Sequence, residues 1–292
     1  MYLTFYGLAE KPFNTTPDPR FLYLTPGHRE ALTQLVYSVQ DNRGFLVLTG
    51  EVGTGKTTLL HAFLERLDAH TAAALVFNSA LPFEGILEYM LQDFGLSTGG
   101  LSAAEQLRTL NGFVRERRQA GSSTVLIIDE AQNLSPETLE QVRLLSNFET
   151  PREKLLQILL VGQPELWAKL QLPSLRQLRQ RVELFCTTPP LSSEQTSEYV
   201  RTRLRIAGAR DVGLFTDRAV ARIAKHAGGI PRLVNIVCDH SLVIGYADQK
   251  RRVDADIVGQ AIAYLDAGTP PARDARRHLL SVTRFARNLL IR

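Results

Sequence analysis

A glycine-rich octapeptide constrains this chain more than any other feature. Residues 50–57 read Gly-Glu-Val-Gly-Thr-Gly-Lys-Thr and fit the pattern G-x-x-x-x-G-K-[ST] of a phosphate-binding loop, or P-loop. An apolar run at 44–49 precedes the octapeptide, and a helical pattern from Lys56 to about His70 follows it. A strand, a glycine loop and a helix N-terminus are the parts that such a loop needs. The sequence therefore predicts a nucleotide site here, and a glycine turn with a chance lysine is the alternative.

Individual residues of the octapeptide have separate expected roles. The three glycines let the backbone curl so that its N–H groups point at phosphate oxygens. We expect Lys56 to reach the β- and γ-phosphates and the Thr57 hydroxyl to ligate Mg²⁺. The predicted nucleotide-binding residues of this segment are Gly50, Glu51, Val52, Gly53, Thr54, Gly55, Lys56, Thr57 and Thr58.

Two carboxylates end a second apolar run. Residues 125–128 are aliphatic and are followed by Asp129 and Glu130, about 75 residues after the P-loop. Open α/β sheets bind ligands at the carboxyl ends of their strands. We expect Asp129 to hold Mg²⁺ through water and Glu130 to polarise the attacking water, as a Walker B pair does. An ordinary strand that ends in acidic residues is the alternative.

Five short apolar runs alternate with helical patterns, which predicts an α/β class with a doubly wound, five-stranded parallel sheet. After Pro189 and Pro190 the strand signal stops and only helical patterns follow. The predicted domains are an N-terminal linker and first helix packing on the core (1–43), an α/β nucleotide-binding domain (44–190), a small helical lid domain (191–265), and a linker with a C-terminal helix (266–292).

Charge is unevenly distributed along the chain. The 34 Lys and Arg residues exceed the 30 acidic residues, giving a net charge of +4, but residues 1–265 carry 28 of each. The excess lies in the tail, so attraction of the whole protein to nucleic acid is not implied. The tail has an apolar helical face flanked by arginines, and two interpretations remain open: a peripheral contact with anionic lipid, or docking on the lid or on a partner. The apolar positions are Leu279, Val282, Phe285, Ala286, Leu289 and Leu290.

Other classes of protein are disfavoured. The two cysteines, Cys186 and Cys238, are far apart and lack C-x-x-C spacing, which argues against a disulfide scaffold or a zinc site. The N-terminus lacks a signal-peptide pattern, and no run of ~18 apolar residues occurs. We expect a cytoplasmic protein, with the tail as its contact with the inner membrane if the lipid interpretation holds.

Several stretches beyond the P-loop carry a family resemblance. From Phe5 to about Ala263 the chain resembles the AAA+ ATPase subgroup typified by general secretion pathway protein A, the ExeA-like proteins, with relatives from exosortase and exopolysaccharide loci. The matching stretches are Phe-Tyr-Gly-Leu at 5–8, Lys-Pro-Phe at 11–13, Pro-Asp-Pro-Arg-Phe-Leu-Tyr at 17–23, the P-loop, Asp-Glu-Ala-Gln at 129–132, Gly-Gln-Pro-Glu-Leu at 162–166, Leu-Arg-Gln-Arg-Val at 178–182, and Gly-Gly-Ile-Pro-Arg-Leu-Val-Asn at 228–235.

The resemblance implies ATP with Mg²⁺ as ligands and assigns further roles. Glu130 would be the catalytic base, and Gln163 the sensor-1 residue that detects the γ-phosphate, unless it merely caps the next helix. Arg181 would be the arginine finger that reaches a neighbouring subunit's ATP. Arg176 and Arg179 compete for that role, and a solvated basic face is the alternative. Arg232 would be sensor 2, unless it only helps to start its helix.

The resulting functional hypothesis is an ATP-hydrolysing AAA+ motor or switch that forms homo-oligomers, because an arginine finger acts in trans. By resemblance it would engage an envelope or secretion-system partner in secretion or exopolysaccharide export. The alternatives are a DNA-binding ATPase that regulates transposition target selection, and a nucleotide-gated scaffold with little hydrolysis. The N-terminal aromatics either pack across the sheet edge and wall the adenine pocket or form plain core; they are Phe5, Tyr6, Phe13, Phe21 and Tyr23.

Overall fold

Two compact units divide the chain in the computed structural model, which describes residues 2–16, 18–77 and 81–267. The α/β unit spans Leu24–Pro189, and the helical unit comprises the described residues of Met1–Tyr23 and Pro190–Arg292. In chain order the elements are α1 (Tyr2–Tyr6), α2 (Pro26–Gln40), β1 (Phe45–Gly50), α3 (Lys56–Leu64), β2 (Ala72–Val76), α4 (Phe83–Asp93), α5 (Ala103–Gln119), β3 (Thr124–Ile128), α6 (Pro136–Leu145), β4 (Gln157–Gly162), α7 (Pro164–Leu170), α8 (Arg176–Arg179), β5 (Val182–Thr188), α9 (Ser193–Ile206), α10 (Asp217–Ala227), α11 (Pro231–Ala247) and α12 (Ala255–Asp266).

The sheet of the α/β unit has the strand order β2-β3-β4-β1-β5, and every pair of neighbours is parallel. This confirms the predicted class, a five-stranded parallel sheet within an α/β fold. The inner strands β1, β3 and β4 are buried along their whole length, as strands covered on both faces are. Strand β4 lies between β1 and β3, so the P-loop, the end of β4 and Asp129 follow three adjacent strands at one edge of the sheet.

Local sequence explains where the helices beside this edge begin. Helix α2 starts with a capping box, in which the Thr25 side chain accepts from the backbone of His28 while the His28 side chain accepts from the backbone of Thr25. Helix α3 starts directly after Gly55, whose φ of 98° is in the left-handed region. Its regular part ends at Leu64, earlier than the predicted His70, and the chain reaches β2 through turns.

One apolar cluster fills the α/β unit. Alternate residues of the central strands, such as Leu126 and Ile128, pack with Ile86 and Leu87 of α4, all with no exposed surface. Burying such a side chain contributes about 1.5–3 kcal/mol. The cluster fixes the strands, and thereby the loops that leave their carboxyl ends.

A second apolar cluster forms the core of the helical unit, and it contains the N-terminal aromatics. Phe13 is 1% exposed and meets Phe215 edge to face at a centroid distance of 5.8 Å. Tyr23 meets Tyr199 in the same way at 5.7 Å. Of the two expectations for these aromatics, plain core packing is the one that the structure shows, and the core is that of the helical unit.

A buried arginine holds the N-terminal segment to α9. Arg203 is 6% exposed, and its guanidinium donates to the carbonyl oxygens of Pro12 and Asn14 and to the Tyr199 hydroxyl. Its Cζ also lies 4.7 Å from the centroid of the Phe21 ring. Pro12, Asn14 and Phe21 are thus fixed by polar as well as apolar contacts, which nothing in their own sequence pattern indicated.

The predicted linker and basic helix at 268–292 lie outside the described residues. Within the described part of the chain, none of the helices has the length and apolar character needed to cross a membrane.

Candidate nucleotide-binding site

Glycine is required at different positions of the P-loop for different structural reasons. Gly53 and Gly55 have φ angles of 82° and 98°, a region that other residues enter at a cost of roughly 1–2 kcal/mol. At Gly50 the reason is space: an added Cβ would lie 1.9 Å from Thr188 Oγ1 and 3.0 Å from Thr188 O. A side chain at position 50 would therefore push the loop away from β5.

Lys56 is the centre of the loop. Its side chain is 6% exposed, and its Nζ donates to Gly50 O at 2.7 Å and to Glu51 O at 3.0 Å. Burial lowers the pKa of Lys56, and the carboxylates of Glu130 and Asp129 oppose that shift. The ammonium group is thus held inside the loop by the loop's own carbonyl groups.

Thr188 supports the loop from the neighbouring strand. Its hydroxyl lies 2.8 Å from the Thr54 hydroxyl, which in turn donates to Glu51 O at 2.8 Å. The two strands bring Gly50 and Thr188 into register at their carboxyl ends. No sequence pattern singles out Thr188, because only the strand pairing shows that it faces the loop.

The remaining loop residues are accessible from outside. Glu51 and Val52 are exposed, and Thr57 and Thr58 are half-buried. Thr57 and Thr58 therefore keep part of their surface open to solvent.

Asp129 follows β3 directly and is 6% exposed. Its Oδ1 accepts from the backbone N–H of Glu130 at 2.8 Å, and its own N–H donates to Val76 O at 3.0 Å. Burial raises the pKa of Asp129, while the Glu130 N–H and the charge of Lys56 oppose that shift. A cation beside this carboxylate would replace the solvation that burial removes.

The donor set fits Mg²⁺. In the described ranges no cluster of three or more His, Cys, Asp or Glu could hold a metal ion, but Mg²⁺ is commonly bound through one or two carboxylates together with substrate phosphates and water. Asp129 and the hydroxyl of Thr57 supply hard oxygen ligands of this kind. Mg²⁺ would thus be bound together with the nucleotide.

Glu130 has an unusual backbone. Its φ of 52° and ψ of 34° lie in the left-handed region, which is uncommon for a residue with a side chain. The turn that follows is closed by a hydrogen bond from Asn133 N to Glu130 O at 3.0 Å. Its carboxylate Oε2 accepts from Gln132 Nε2 at 2.6 Å and lies 3.4 Å from Gln163 Nε2.

Gln163 follows β4 and precedes α7. Its side chain makes no capping hydrogen bond to α7 and is directed to Glu130 instead. Its backbone N–H donates to Gln132 Oε1 at 3.0 Å. The structure thus brings Glu130 and Gln163 together, with Gln132 as a third member that sequence analysis had placed only in a motif.

The three candidate finger arginines differ in their surroundings. Arg181 Nη1 donates to Asn147 Oδ1 at 2.8 Å and also contacts Ser146 Oγ, so it is tied to the end of α6. Arg179 donates to Gln171 at 2.8 Å. Arg176 is exposed, and no hydrogen bond of its guanidinium is recorded within the described ranges.

Arg232 belongs to the helical unit, where it is the second residue of α11 and is exposed. The turn before it requires glycine at position 229, because φ there is 75° and a Cβ would lie 2.0 Å from Leu191 O. Leu191 N also donates to Gly229 O at 2.8 Å. The start of α11 is therefore fixed within its own unit.

Known sequences similar to this chain include one protein family and two individual relatives. Residues 39–170 match the family described as AAA domain. General secretion pathway protein A of Aeromonas hydrophila is 41% identical over 256 residues, which are 87% of this chain and 46% of that protein. An uncharacterized HTH-type transcriptional regulator of Methanocaldococcus jannaschii is 26% identical over 159 residues, or 53% of this chain and 38% of the relative. The chain spans less than half the length of these relatives.

Solved structures show the same fold at low sequence identity. The Aeropyrum pernix ORC2 protein, with ADPNP and ADP, has a TM-score of 0.67 at 16% identity and covers 91% of this chain and 74% of its own. Cdc6p from Pyrobaculum aerophilum has a TM-score of 0.62 at 19% identity, with coverages of 83% and 67%. The RuvB Holliday junction branch migration motor of Thermotoga maritima has 0.56 at 18%, with 82% and 68%.

The fold and the P-loop site together define a protein of the AAA+ ATPase class. Within that class, general secretion pathway protein A of Aeromonas hydrophila is a relative of this chain over most of the chain's length.

Proposed function

We propose that this protein hydrolyses ATP and works as an oligomeric motor or switch in envelope export or assembly. The observation that carries the proposal is the arrangement at the carboxyl edge of the sheet. Lys56 is fixed inside a glycine loop, Asp129 is buried at the end of β3, and Glu130 is held beside Gln163. A nucleotide-gated scaffold with little hydrolysis would need the first two features but not the third.

Each residue has a role in the proposed reaction. Loop N–H groups and Lys56 would bind the phosphates of ATP. Mg²⁺, held by Thr57 and Asp129, would neutralise charge on the β- and γ-phosphates. Glu130 would accept a proton from the attacking water. The water oxygen would form a bond to the γ-phosphorus, while the bond between the γ-phosphorus and the bridging oxygen of ADP breaks. The products are ADP and inorganic phosphate.

Glu130→Gln tests hydrolysis. We expect a loss of turnover of about 10²- to 10⁴-fold, the typical contribution of a general base, while ATP binding stays at the wild-type level because the P-loop is unchanged. Turnover and nucleotide affinity would be measured on the same preparations. Wild-type protein that binds ATP without turning it over would favour the scaffold.

An arginine of residues 176–181 would complete the site of a neighbouring copy, which makes the oligomer necessary. Arg181 is the first choice by family resemblance, but its contacts with the end of α6 give it a structural role as well, whereas Arg176 is exposed. Turnover at rising protein concentration, with Arg176→Ala, Arg179→Ala and Arg181→Ala, would identify the finger as the variant that binds ATP and stays folded but loses turnover. Arg232→Ala tests the proposed sensor 2 by ATP affinity.

The envelope role follows from the relative in Aeromonas hydrophila, whose name places it in the general secretion pathway. We propose a cytoplasmic location at the inner membrane, an envelope or secretion-system partner, and lipid contact through residues 276–292. Anionic liposomes and duplex DNA would each be added to the turnover assay. Stimulation by liposomes that is lost on truncation after Gly268 supports the membrane role, and stimulation by DNA alone would favour a DNA-targeting ATPase.

A further inference from the structure

Gln132 lies between the two polar groups that follow β3 and β4. Its amide makes a hydrogen bond at each end: Nε2 donates to Glu130 Oε2 at 2.6 Å, and Oε1 accepts from the backbone N–H of Gln163 at 3.0 Å. Rotation of the amide by 180° would place two donors together at Gln163 and two acceptors together at Glu130. The chemistry of its neighbours therefore fixes the orientation of this amide.

Neighbouring residues leave space for the side chain of Gln132 and hold its backbone in place. A Cβ at Gly162 would lie 2.7 Å from Gln132 Oε1, so the last residue of β4 must lack a side chain for the amide to approach. Lys169 of α7 donates its ammonium protons to the backbone oxygens of Gln132 and Leu134. The backbone of the turn and the amide of Gln132 are thus held by separate contacts.

We propose that Gln132 is a positioning residue that couples the carboxylate of Glu130 to the end of β4, where Gln163 lies. The inference rests on the proposed hydrolysis of ATP and adds how its base is oriented. Gln132 Nε2 and Gln163 Nε2 both donate hydrogen bonds to Glu130 Oε2, which restricts rotation of the Glu130 side chain. Because the other end of the Gln132 amide is bound to Gln163, a displacement of Gln163 is transmitted to Glu130.

Two substitutions separate the two hydrogen bonds of Gln132. Gln132→Met keeps the length of the side chain and removes both bonds. Gln132→Glu keeps an acceptor for the N–H of Gln163 but places an oxygen where Glu130 had a donor. Gln141→Met, at an exposed position of α6, is the matched control and is expected to behave as wild type.

Both variants at position 132 are expected to lower kcat by about 10- to 100-fold, the range for loss of a hydrogen bond to a charged group. KM for ATP and the melting temperature are expected to stay near the wild-type values. The decisive comparison is a double-mutant cycle with Glu130→Gln. If Gln132 acts through Glu130, the double variant Glu130→Gln with Gln132→Met is no slower than Glu130→Gln alone, whereas additive losses or faster turnover in Gln132→Met would overturn the proposal.

A second measurement does not depend on hydrolysis. Hydrogen–deuterium exchange of the Gln163 backbone amide in nucleotide-free protein is expected to be faster in Gln132→Met and unchanged in Gln132→Glu. Equal exchange in Gln132→Met and wild type would overturn the coupling. If the wild type binds ATP but does not turn it over, the proposed hydrolysis fails, and this exchange result alone then supports or overturns the coupling of Gln132 to Gln163.

Discussion

The α/β unit and the helical unit use their polar side chains for different purposes. In the α/β unit, the side chains of Gln132 and Gln163 both hydrogen-bond to the Glu130 carboxylate, and Gln132 also accepts from the backbone of Gln163, at the edge of the sheet where the P-loop begins. In the helical unit, the side chains of Arg203 and Tyr199 are buried, and they hydrogen-bond to each other, to Asn235 and to two backbone carbonyl groups. Most residues of the proposed reaction lie in the first unit, whereas these polar contacts in the second unit hold its own segments together.

Topology explains this difference. Parallel strands end at one edge, so motifs that are remote in sequence come together wherever their strands are neighbours. The described residues of the helical unit form no parallel sheet, and the N-terminal segment is held to them by specific contacts. If this comparison is correct, substitutions in the two units should separate effects on turnover from effects on stability.

Among the substitutions that test this comparison, Lys56→Ala is expected to have the largest effect, and to change turnover and ATP binding rather than stability. Loss of the ammonium group removes a phosphate ligand, so turnover should fall by about 100- to 1,000-fold with weaker ATP binding. The melting temperature should change little, because the buried ammonium contacts only the loop. Turnover, nucleotide titration and thermal unfolding would be compared with Lys225→Ala, an exposed position of α10. A large loss of stability in Lys56→Ala would contradict the separation.

Arg203→Met should have the opposite effect to Lys56→Ala, because it should lower the stability of the protein rather than its intrinsic chemistry. It leaves the hydroxyl of Tyr199 and two backbone carbonyl groups without their donor, and a buried acceptor left unpaired costs about 1–3 kcal/mol. Urea unfolding would measure that loss, with Arg205→Met, an exposed neighbour on α9, as the control. Unfolding as stable as that of wild type would mean that the N-terminal segment is not held by these contacts.

Local motifs could be predicted from the sequence, whereas contacts that depend on which elements are neighbours could not. The P-loop and the residues after β3 were predictable, because each motif is local and the strand before it fixes its position. Gln132 and Thr188 were not, since their roles depend on which strands are neighbours. For Phe13 and Tyr23, core packing was one of two expectations, and the sequence could not say which core they join, because an aromatic side chain indicates burial but does not indicate in which core.

Thr188→Val tests whether a hydrogen bond between β5 and the P-loop affects nucleotide binding within the α/β unit. Valine keeps the shape of threonine but cannot hydrogen-bond to Thr54, so the P-loop loses one support from β5. A neutral hydrogen bond contributes about 0.5–1.5 kcal/mol, and we expect KM for ATP to rise about three- to tenfold with little change in kcat. Steady-state kinetics would be compared with Thr187→Val, whose side chain is exposed on the same strand. An unchanged KM would show that Thr188 supports only the strand.

His28 gives the smallest expected effect, and it concerns stability in the α/β unit. Burial lowers the pKa of His28, partly opposed by the backbone of Thr54. The folded protein therefore binds the proton less readily than the unfolded chain, whose imidazole titrates near pH 6.5. The contribution of His28 to stability is complete above that pH and decreases as the pH falls below it.

The expected loss between pH 7.5 and 5.5 is at most about 1 kcal/mol, and His28→Asn should remove it from the pH dependence even though it also weakens the cap of α2. Urea unfolding at both pH values would measure the difference, with His70→Asn, an exposed position before β2, as the control. A wild-type pH dependence in His28→Asn would assign the effect to other groups. Burial of His28 beside the P-loop would then be a matter of packing alone.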